Sequence, residues 1–249
     1  GATPDEWRLG TSHRVTFSRN IVAEGLSNST HKNGEHSKGS LIHDNATEIL
    51  IWGNLYASNV DRNPLFKGGA RGAIVNNFVA NPGRYAVSYG LVHSEWGARP
   101  YETGMLSVVG NVFHLGLDST APSNSAFMHI GVGPVEVFLK DNVAADLQGE
   151  PLKMIGGSAS GLVERSEPPV WPAGLVAQPS AEVLQTLADD VGARPWDRDA
   201  IDARIVNEAL TGTGSHIDHE SEGGGYPQHA PTSAAFDPAR WDACFERIP

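Results

Sequence analysis

Apolar and polar side chains alternate in five short stretches of the chain, and each stretch closes on an asparagine. These are Val15-x-Phe17 before Asn20, Ile49-x-Ile51 before Asn54, Gly72-x-Ile74 before Asn77, Leu106-x-Val108 before Asn111 and Val137-x-Leu139 before Asn142. A further apolar residue follows each asparagine: Ile21, Leu55, Phe78, Val112 and Val143. The third unit fits least well, with glycine at its first apolar position. Alternation with period two predicts strands. Recurrence at intervals of 34, 23, 34 and 31 residues predicts coils stacked along an axis. Helical repeats of similar period need long stretches of 3.6-residue periodicity, and these units carry β-branched residues, Gly and Asn instead. The pattern therefore predicts an all-β fold, a parallel β-helix in which like positions stack on like. Under it the five asparagines share one turn, with their side-chain amides bonding along the stack.

Beyond about Gly161 the pattern changes. Glu167-Pro168-Pro169-Val170-Trp171-Pro172 reads as a Pro-rich link. Ser180 is a plausible N-cap for a helix running to about Val191 and stopped by Gly192. Asp197 is the expected cap of a second helix, with Ile201, Ile205, Val206 and Leu210 on one face and Gly212 and Gly214 at its end. The final stretch from Gly223-Gly224-Gly225-Tyr226-Pro227 onward is loop-like, with Phe236, Trp241 and Phe245 as anchors. The expected organisation is thus residues 1–164 as coils carrying any site, and 165–249 as an extension packed on them with about two short helices.

Composition narrows the chemistry. The 28 Gly and 16 Pro suit a loop-rich β chain. Eighteen Lys and Arg against 29 Asp and Glu give a net charge of −11, which argues against a nucleic-acid partner. The single cysteine, Cys244, excludes an internal disulfide framework and a Cys-based zinc site. No apolar run approaches the length that spans a membrane. Against this acidic background, residues 20–69 are dense in polar groups that a solenoid does not need: Glu24, Asn28, His31, Lys32, His36, Lys38, His43, Asp44, Asp61, Arg62 and Lys67. Ser27–Gly39 lacks strand pattern and reads as a loop protruding from one coil, a usual place for a site on a rigid stack. Lys38, Arg62 and Lys67 are candidates for a local positive patch, or else three solvated charges. Elsewhere, His93, Glu95 and Trp96 are candidates for a sugar subsite, though a packed aromatic with polar neighbours fits as well. His216-x-Asp218-His219 has metal-ligand residue types in one short loop. His13, His114 and His129 lie on or beside strand patterns and read as structural.

Arg62-Asn63-Pro64-Leu65-Phe66-Lys67, one coil after His36-Ser37-Lys38-Gly39-Ser40-Leu41-Ile42, resembles the pectate lyase family of polysaccharide lyases. The family signature Arg-x-Pro-x-x-Arg is met at Arg62 and Pro64, with Lys67 in the final position as a departure that keeps the charge. The resemblance runs from about Asp5 to Asp146 and continues in Gly192-Ala193-Arg194-Pro195 and Gly224-Gly225-Tyr226-Pro227. It implies a right-handed parallel β-helix and a secreted or periplasmic enzyme that cleaves an acidic, uronic-acid polysaccharide, pectate first, by β-elimination. It assigns the base role to Arg62 and places Lys38, Lys67 and His36 on the substrate. It also implies Ca2+ held by acids on the coil before Lys38, where only Glu6 and Asp5 stand. A free guanidinium is almost never deprotonated near neutral pH, and Lys67 lacks the planar fork of arginine.

Two other readings remain open. One is a β-helical glycoside hydrolase, for which Asp44 and Asp61 are the only central acids and form no paired motif. The other is a non-catalytic glycan-binding or structural β-helix. The first repeat begins within fifteen residues of the first residue, and no helix or polar cap is evident before Val15. The sequence therefore predicts that an N-terminal fragment or a second chain stacks on the Val15–Phe17 edge and completes the metal site; the alternative is that the opening residues fold over and cap the stack themselves.

Overall fold

The computed structural model describes residues 3–120, 125–158 and 160–226. The expected anchors Phe236, Trp241 and Phe245, and Cys244, lie outside the described residues. Each asparagine-closed unit opens one coil of three strands. The first coil comprises β1 (His13–Ser18), β2 (Ile21–Ala23) and β3 (Leu41–Ile42). The second comprises β4 (Thr47–Trp52), β5 (Leu55–Ala57) and β6 (Leu65–Lys67), and the third β7 (Arg71–Val75), β8 (Phe78–Ala80) and β9 (Val87–Leu91). The fourth holds β10 (Gly104–Val109), β11 (Val112–His114) and β12 (Ser125–Gly131), and the fifth β13 (Val135–Lys140), β14 (Val143–Ala145) and β15 (Lys153–Gly157). A last strand, β16 (Leu162–Glu164), opens a sixth. Every third strand pairs, always in parallel, so three all-parallel sheets form a solenoid-like stack.

Register follows the repeat. Val15, Ile49, Gly72, Leu106 and Val137 stand opposite one another along the first sheet, as do Phe17, Ile51, Ile74, Val108 and Leu139. Apart from Gly72 and the exposed Val15, their side chains meet Tyr56, Phe66, Val87, Tyr89, Phe113 and Phe127 in the main core. Gly72 breaks the apolar column for a steric reason. A Cβ there would lie 2.5 Å from the Ile49 carbonyl oxygen and 2.9 Å from Phe66 Cε1, and Phe66 is fully buried. The aromatic ring fills the space that an aliphatic side chain takes in the other coils.

The asparagines form the expected ladder. Both the backbone N–H and Nδ2 of Asn20 donate to Asn54 Oδ1, at 2.9 and 3.0 Å. Asn54 repeats this onto Asn77, Asn77 onto Asn111 and Asn111 onto Asn142, all at 2.9–3.0 Å. The second Nδ2 hydrogen of Asn54, Asn77, Asn111 and Asn142 goes to a carbonyl of the preceding coil: Phe17, Ile51, Ile74 and Val108 respectively. The residue before each asparagine is left-handed: Arg19, Gly53, Asn76, Gly110 and Asp141 all have φ between 52° and 65°. Glycine and asparagine at three of these five positions reduce the steric cost of that bend.

The extension covers outward faces of the stack. Helix α3 (Ser180–Asp190) and helix α4 (Ala200–Thr211) bring Val183, Leu187, Val191, Ile205, Val206 and Ala209 onto Leu55, Phe78 and Val112. Trp171, Leu175 and Ala177 of the Pro-rich link cover Leu50, Ala73 and Val75. Strands of the second and third coils are thus buried on both faces, which is why they read as continuous apolar runs. Both expected caps need correction. Ser180 is the first helical residue rather than the cap, and its N–H and Oγ both bond the Asp141 carboxylate, at 2.9 Å each. Asp199, not Asp197, caps α4, because its carboxylate accepts from the N–H groups of Ile201 and Asp202, while Asp197 pairs with Arg194. Glu24 holds α4 to the stack through a two-pronged pair with Arg204, at 2.7 and 2.8 Å.

A further correction concerns the start of the stack. Helix α1 (Pro4–Leu9) precedes Val15, opened by a capping box in which Thr3 and Glu6 each bond the other's backbone N–H. Its Trp7, with Val15, Phe17, Ile49 and Ile51, lines a cleft of about 800 Å³ at the first-coil end. Among the described residues, strands β1, β2 and β3 each have a partner on one side only. Among the described residues no helix is long and apolar enough to cross a membrane.

Two substitutions test this account. Asn111→Ala removes the acceptor of Asn77 and the donor to Ile74 O, and should cost roughly 1–3 kcal/mol, read as a lower denaturant midpoint at unchanged slope. Gly72→Val should cost a similar amount, about 1–3 kcal/mol by overpacking, and Phe66→Leu in the same chain should recover part of it.

Candidate functional site

Lys38 and Asp61 occupy the same bend of successive coils, just ahead of β3 and β6, and form a parallel bridge. The backbones are drawn together by Gly39 N–H on Asp61 O at 2.9 Å and Ser40 N–H on Arg62 O at 2.7 Å. Glycine is required at 39, since a Cβ would lie 2.5 Å from Arg62 O. Arg62 itself is left-handed, φ 63°, a conformation shared with nine other non-glycine residues among those described and so not a mark of function alone.

Asp61 is the centre of this bend. Its Oδ2 accepts from Lys38 Nζ at 3.1 Å and from Arg84 at 3.3 Å, and its Oδ1 accepts from the Arg62 N–H at 2.9 Å. Lys38 and Asp61 are largely buried, with side chains 13% and 16% exposed. His36 completes the group. Its ring stacks on His31, with centroids 3.6 Å apart, and partial desolvation lowers its pKa, helped by the nearby charges of His31, Lys38 and Arg62. An imidazole held uncharged near neutral pH beside two cations can accept a proton or a hydrogen bond. The loop carrying it, expected to protrude, is pinned to the 216–219 segment: Ser27 N–H bonds Ile217 O at 3.0 Å, and Asn28 bonds Asp218.

Lys67 lies in a second cluster. It is 7% exposed and ion-paired with Glu95 from the short helix α2 (His93–Trp96). Asp44 is buried beside this pair. Burial raises its pKa, against the pull of Lys67 and His43. A Cβ on Gly68 would lie 2.5 Å from the Trp96 indole nitrogen and 2.8 Å from Asp44 Oδ1, so glycine lets the two side chains close around the backbone. Trp96 is 1% exposed and packs on Trp7 and Tyr101, which removes it from any sugar face. The structure thus brings His36, Lys38 and Arg62 together and gives Lys67 separate partners.

Asp5 and Glu6 are committed elsewhere. Glu6 closes the capping box of α1, which holds its pKa below the usual value, and Asp5 pairs with Arg8. Calcium takes six to eight oxygens, and these two carboxylates, spent on a helix cap and an ion pair, do not fit such a site. Among the described residues no group of three or more His, Cys, Asp or Glu converges to hold a metal ion. In the 216–219 segment, His216 Nε2 lies 3.1 Å from Asn81 O, Asp218 serves Asn28, and His219 caps the 3-10 turn Glu220–Gly223. His129 is buried with both ring nitrogens facing carbonyl oxygens, of Ser158 and Gly133, and His114 packs edge-on against Phe78. His13 is exposed with its Nδ1 on Thr11 O.

Sequence reasoning missed Arg84 and the central place of Asp61. A signal was present: Lys38, Asp61 and Arg84 are spaced by 23 residues, the same interval that separates Asn54 from Asn77. No family model matches the sequence, and no curated protein matches it.

Lys67→Gln should test the second cluster. Removing one partner of a largely buried pair should cost on the order of 1–3 kcal/mol, part of the full penalty because Glu95 is partly exposed. The loss should shrink as pH falls, since Asp44, already pushed up, then takes a proton and no longer needs a cation. Melting followed from pH 7 to pH 4 checks this, and a pH-independent loss would contradict it.

Proposed function

We propose that the protein is a polysaccharide lyase cleaving a uronic-acid polymer, pectate first, and that its stack is a right-handed parallel β-helix working outside the cytoplasm. The observation that carries this reading is the convergence of Lys38, Arg62 and His36 on one bend of two adjacent coils. It sets two cations and an imidazole together on a chain of net charge −11, with Lys38 and Arg62 at the positions where the family pattern has its lysine and first arginine.

In this reading the substrate carboxylate lies against Lys38 and His36. The charge of Lys38 and a hydrogen bond from each residue offset the negative charge that builds as the neighbouring C5 proton leaves. Arg62 in its free-base form takes that proton. The C5–H electron pair becomes the C4=C5 double bond, the C4–O4 bond breaks, and O4 departs with a proton from water. Lys67 reaches substrate only by exchanging Glu95 for a substrate carboxylate. His36 gives a second candidate for proton removal, because its lowered pKa leaves it uncharged near neutral pH.

The test is ultraviolet absorbance of the unsaturated product on a panel of acidic polysaccharides, with and without a chelator. New reducing ends without absorbance would mean hydrolysis, and binding without either would mean a glycan-binding module. Arg62→Lys should lower turnover by about a hundredfold or more while melting is retained. Near-normal turnover would remove Arg62 from the base role. A rate that keeps climbing into alkaline pH assigns proton removal to Arg62, and one that levels off below about pH 7 assigns it to His36.

A further inference from the structure

The cation stack does not end at Lys38 and Arg62. Lys38, Asp61 and Arg84 occupy equivalent bends of three successive coils, two rung spacings or about 9–10 Å from first to last along the backbone. The two cationic heads nevertheless meet the same oxygen of Asp61. Their situations differ. Lys38 is largely buried in its pair, whereas the Arg84 side chain is 42% exposed and holds Asp61 through Nη2 alone, at 3.3 Å. Nη1 makes no hydrogen bond among the described residues, and Nε is buried without a partner. A guanidinium with one long ion pair and a free donor edge has capacity for a second carboxylate.

Space for that group is present. A cleft of about 330 Å³ opens beside Arg84, walled by Val60, Thr120, Asp118, Glu35 and His216. Asp118 is already occupied, its Oδ2 accepting from Asn81 Nδ2 at 3.0 Å and from the His216 N–H at 2.8 Å. Glu35 is exposed on the loop rim. Among the described residues Arg84 is the one lysine or arginine lining the cleft.

Resting on the lyase reading above, we infer that Arg84 is a substrate-binding residue. It takes the carboxylate of a uronate unit next to the one held by Lys38 and Arg62. Asp61 is the stand-in for that carboxylate in the free protein, holding the Arg84 head toward the site. An elongated polyanion laid across the bend then runs from Lys38 over Arg84 into the cleft, so the chain length of the ligand should matter.

Calorimetric binding of galacturonate, digalacturonate and tetragalacturonate to the full chain and to its Arg84→Gln and Arg84→Lys forms tests this. Affinity of the unaltered protein should rise with ligand length. Arg84→Gln should weaken digalacturonate and tetragalacturonate by about tenfold, leave galacturonate within about twofold, and flatten the length dependence. Arg84→Lys should recover part of the loss, because a cation is restored without the fork. A residue that merely supports the fold would weaken all three ligands alike and lower the melting temperature. Equal binding of tetragalacturonate by the unaltered and Arg84→Gln proteins overturns the inference and leaves the lyase reading standing. No binding of any ligand by the unaltered protein overturns both.

Discussion

The double hydrogen bond from each asparagine to the amide oxygen of the next fixes everything else in this molecule. A parallel stack has to solve two problems at every corner: the chain must bend sharply, and the backbone N–H exposed by the bend must find a buried acceptor. Asn54, Asn77 and Asn111 are fully buried and solve both, each accepting two donors and supplying three. Because like atoms meet like atoms, a one-residue slip in any coil would break two bonds above and two below. The ladder therefore sets register for all three sheets, and with it the alignment that brings Lys38, Asp61 and Arg84 into one column.

With register fixed at one corner, chain length is free to vary elsewhere. Asn20 and Asn54 are 34 residues apart and Asn54 and Asn77 only 23, yet the bonds between them are the same. The extra residues of the first coil form the segment carrying His31 and His36, which rejoins the column at Lys38. A rigid corner beside a variable loop is the arrangement that lets a repetitive fold hold a non-repetitive site.

Much of this was legible in the sequence and some of it was not, for separable reasons. The ladder and the first sheet were readable because they recur with both residue type and spacing intact. The strands of the third sheet were not: Leu41–Ile42 and Leu65–Lys67 are two and three residues long and carry no period. Helix α1 has a plain signal in the capping box of Thr3 and Glu6, which competes with the reading of Glu6 as a calcium ligand. Asp199 outcompeted Asp197 by geometry that composition does not encode, and Ser180 is capped by Asp141, 39 residues away. The site divides along the same line. Lys38 and Arg62 stand in a recognisable local motif. Arg84 becomes meaningful only when the 23-residue interval is laid on it, and the burial of Lys67 depends on Glu95 in another coil.

The ladder also has a direction. From Asn20 to Asn111, each backbone N–H and one Nδ2 hydrogen point toward the later coil, and from Asn54 to Asn142 each Oδ1 points toward the earlier one. The other Nδ2 hydrogen of Asn54, Asn77, Asn111 and Asn142 turns back to the preceding coil. The dipoles of the aligned bonds add along the stack, which makes the first-coil end the negative pole and the fifth-coil end the positive one. The residues in the bends beside those poles carry the opposite charges: Arg19 precedes Asn20, and Asp141 precedes Asn142. Each also ties the extension down, Arg19 through Asp190 and Asp141 through the N–H of Ser180. The column of amides thus behaves as a bar with charged ends, and helix α3 is moored across both of them.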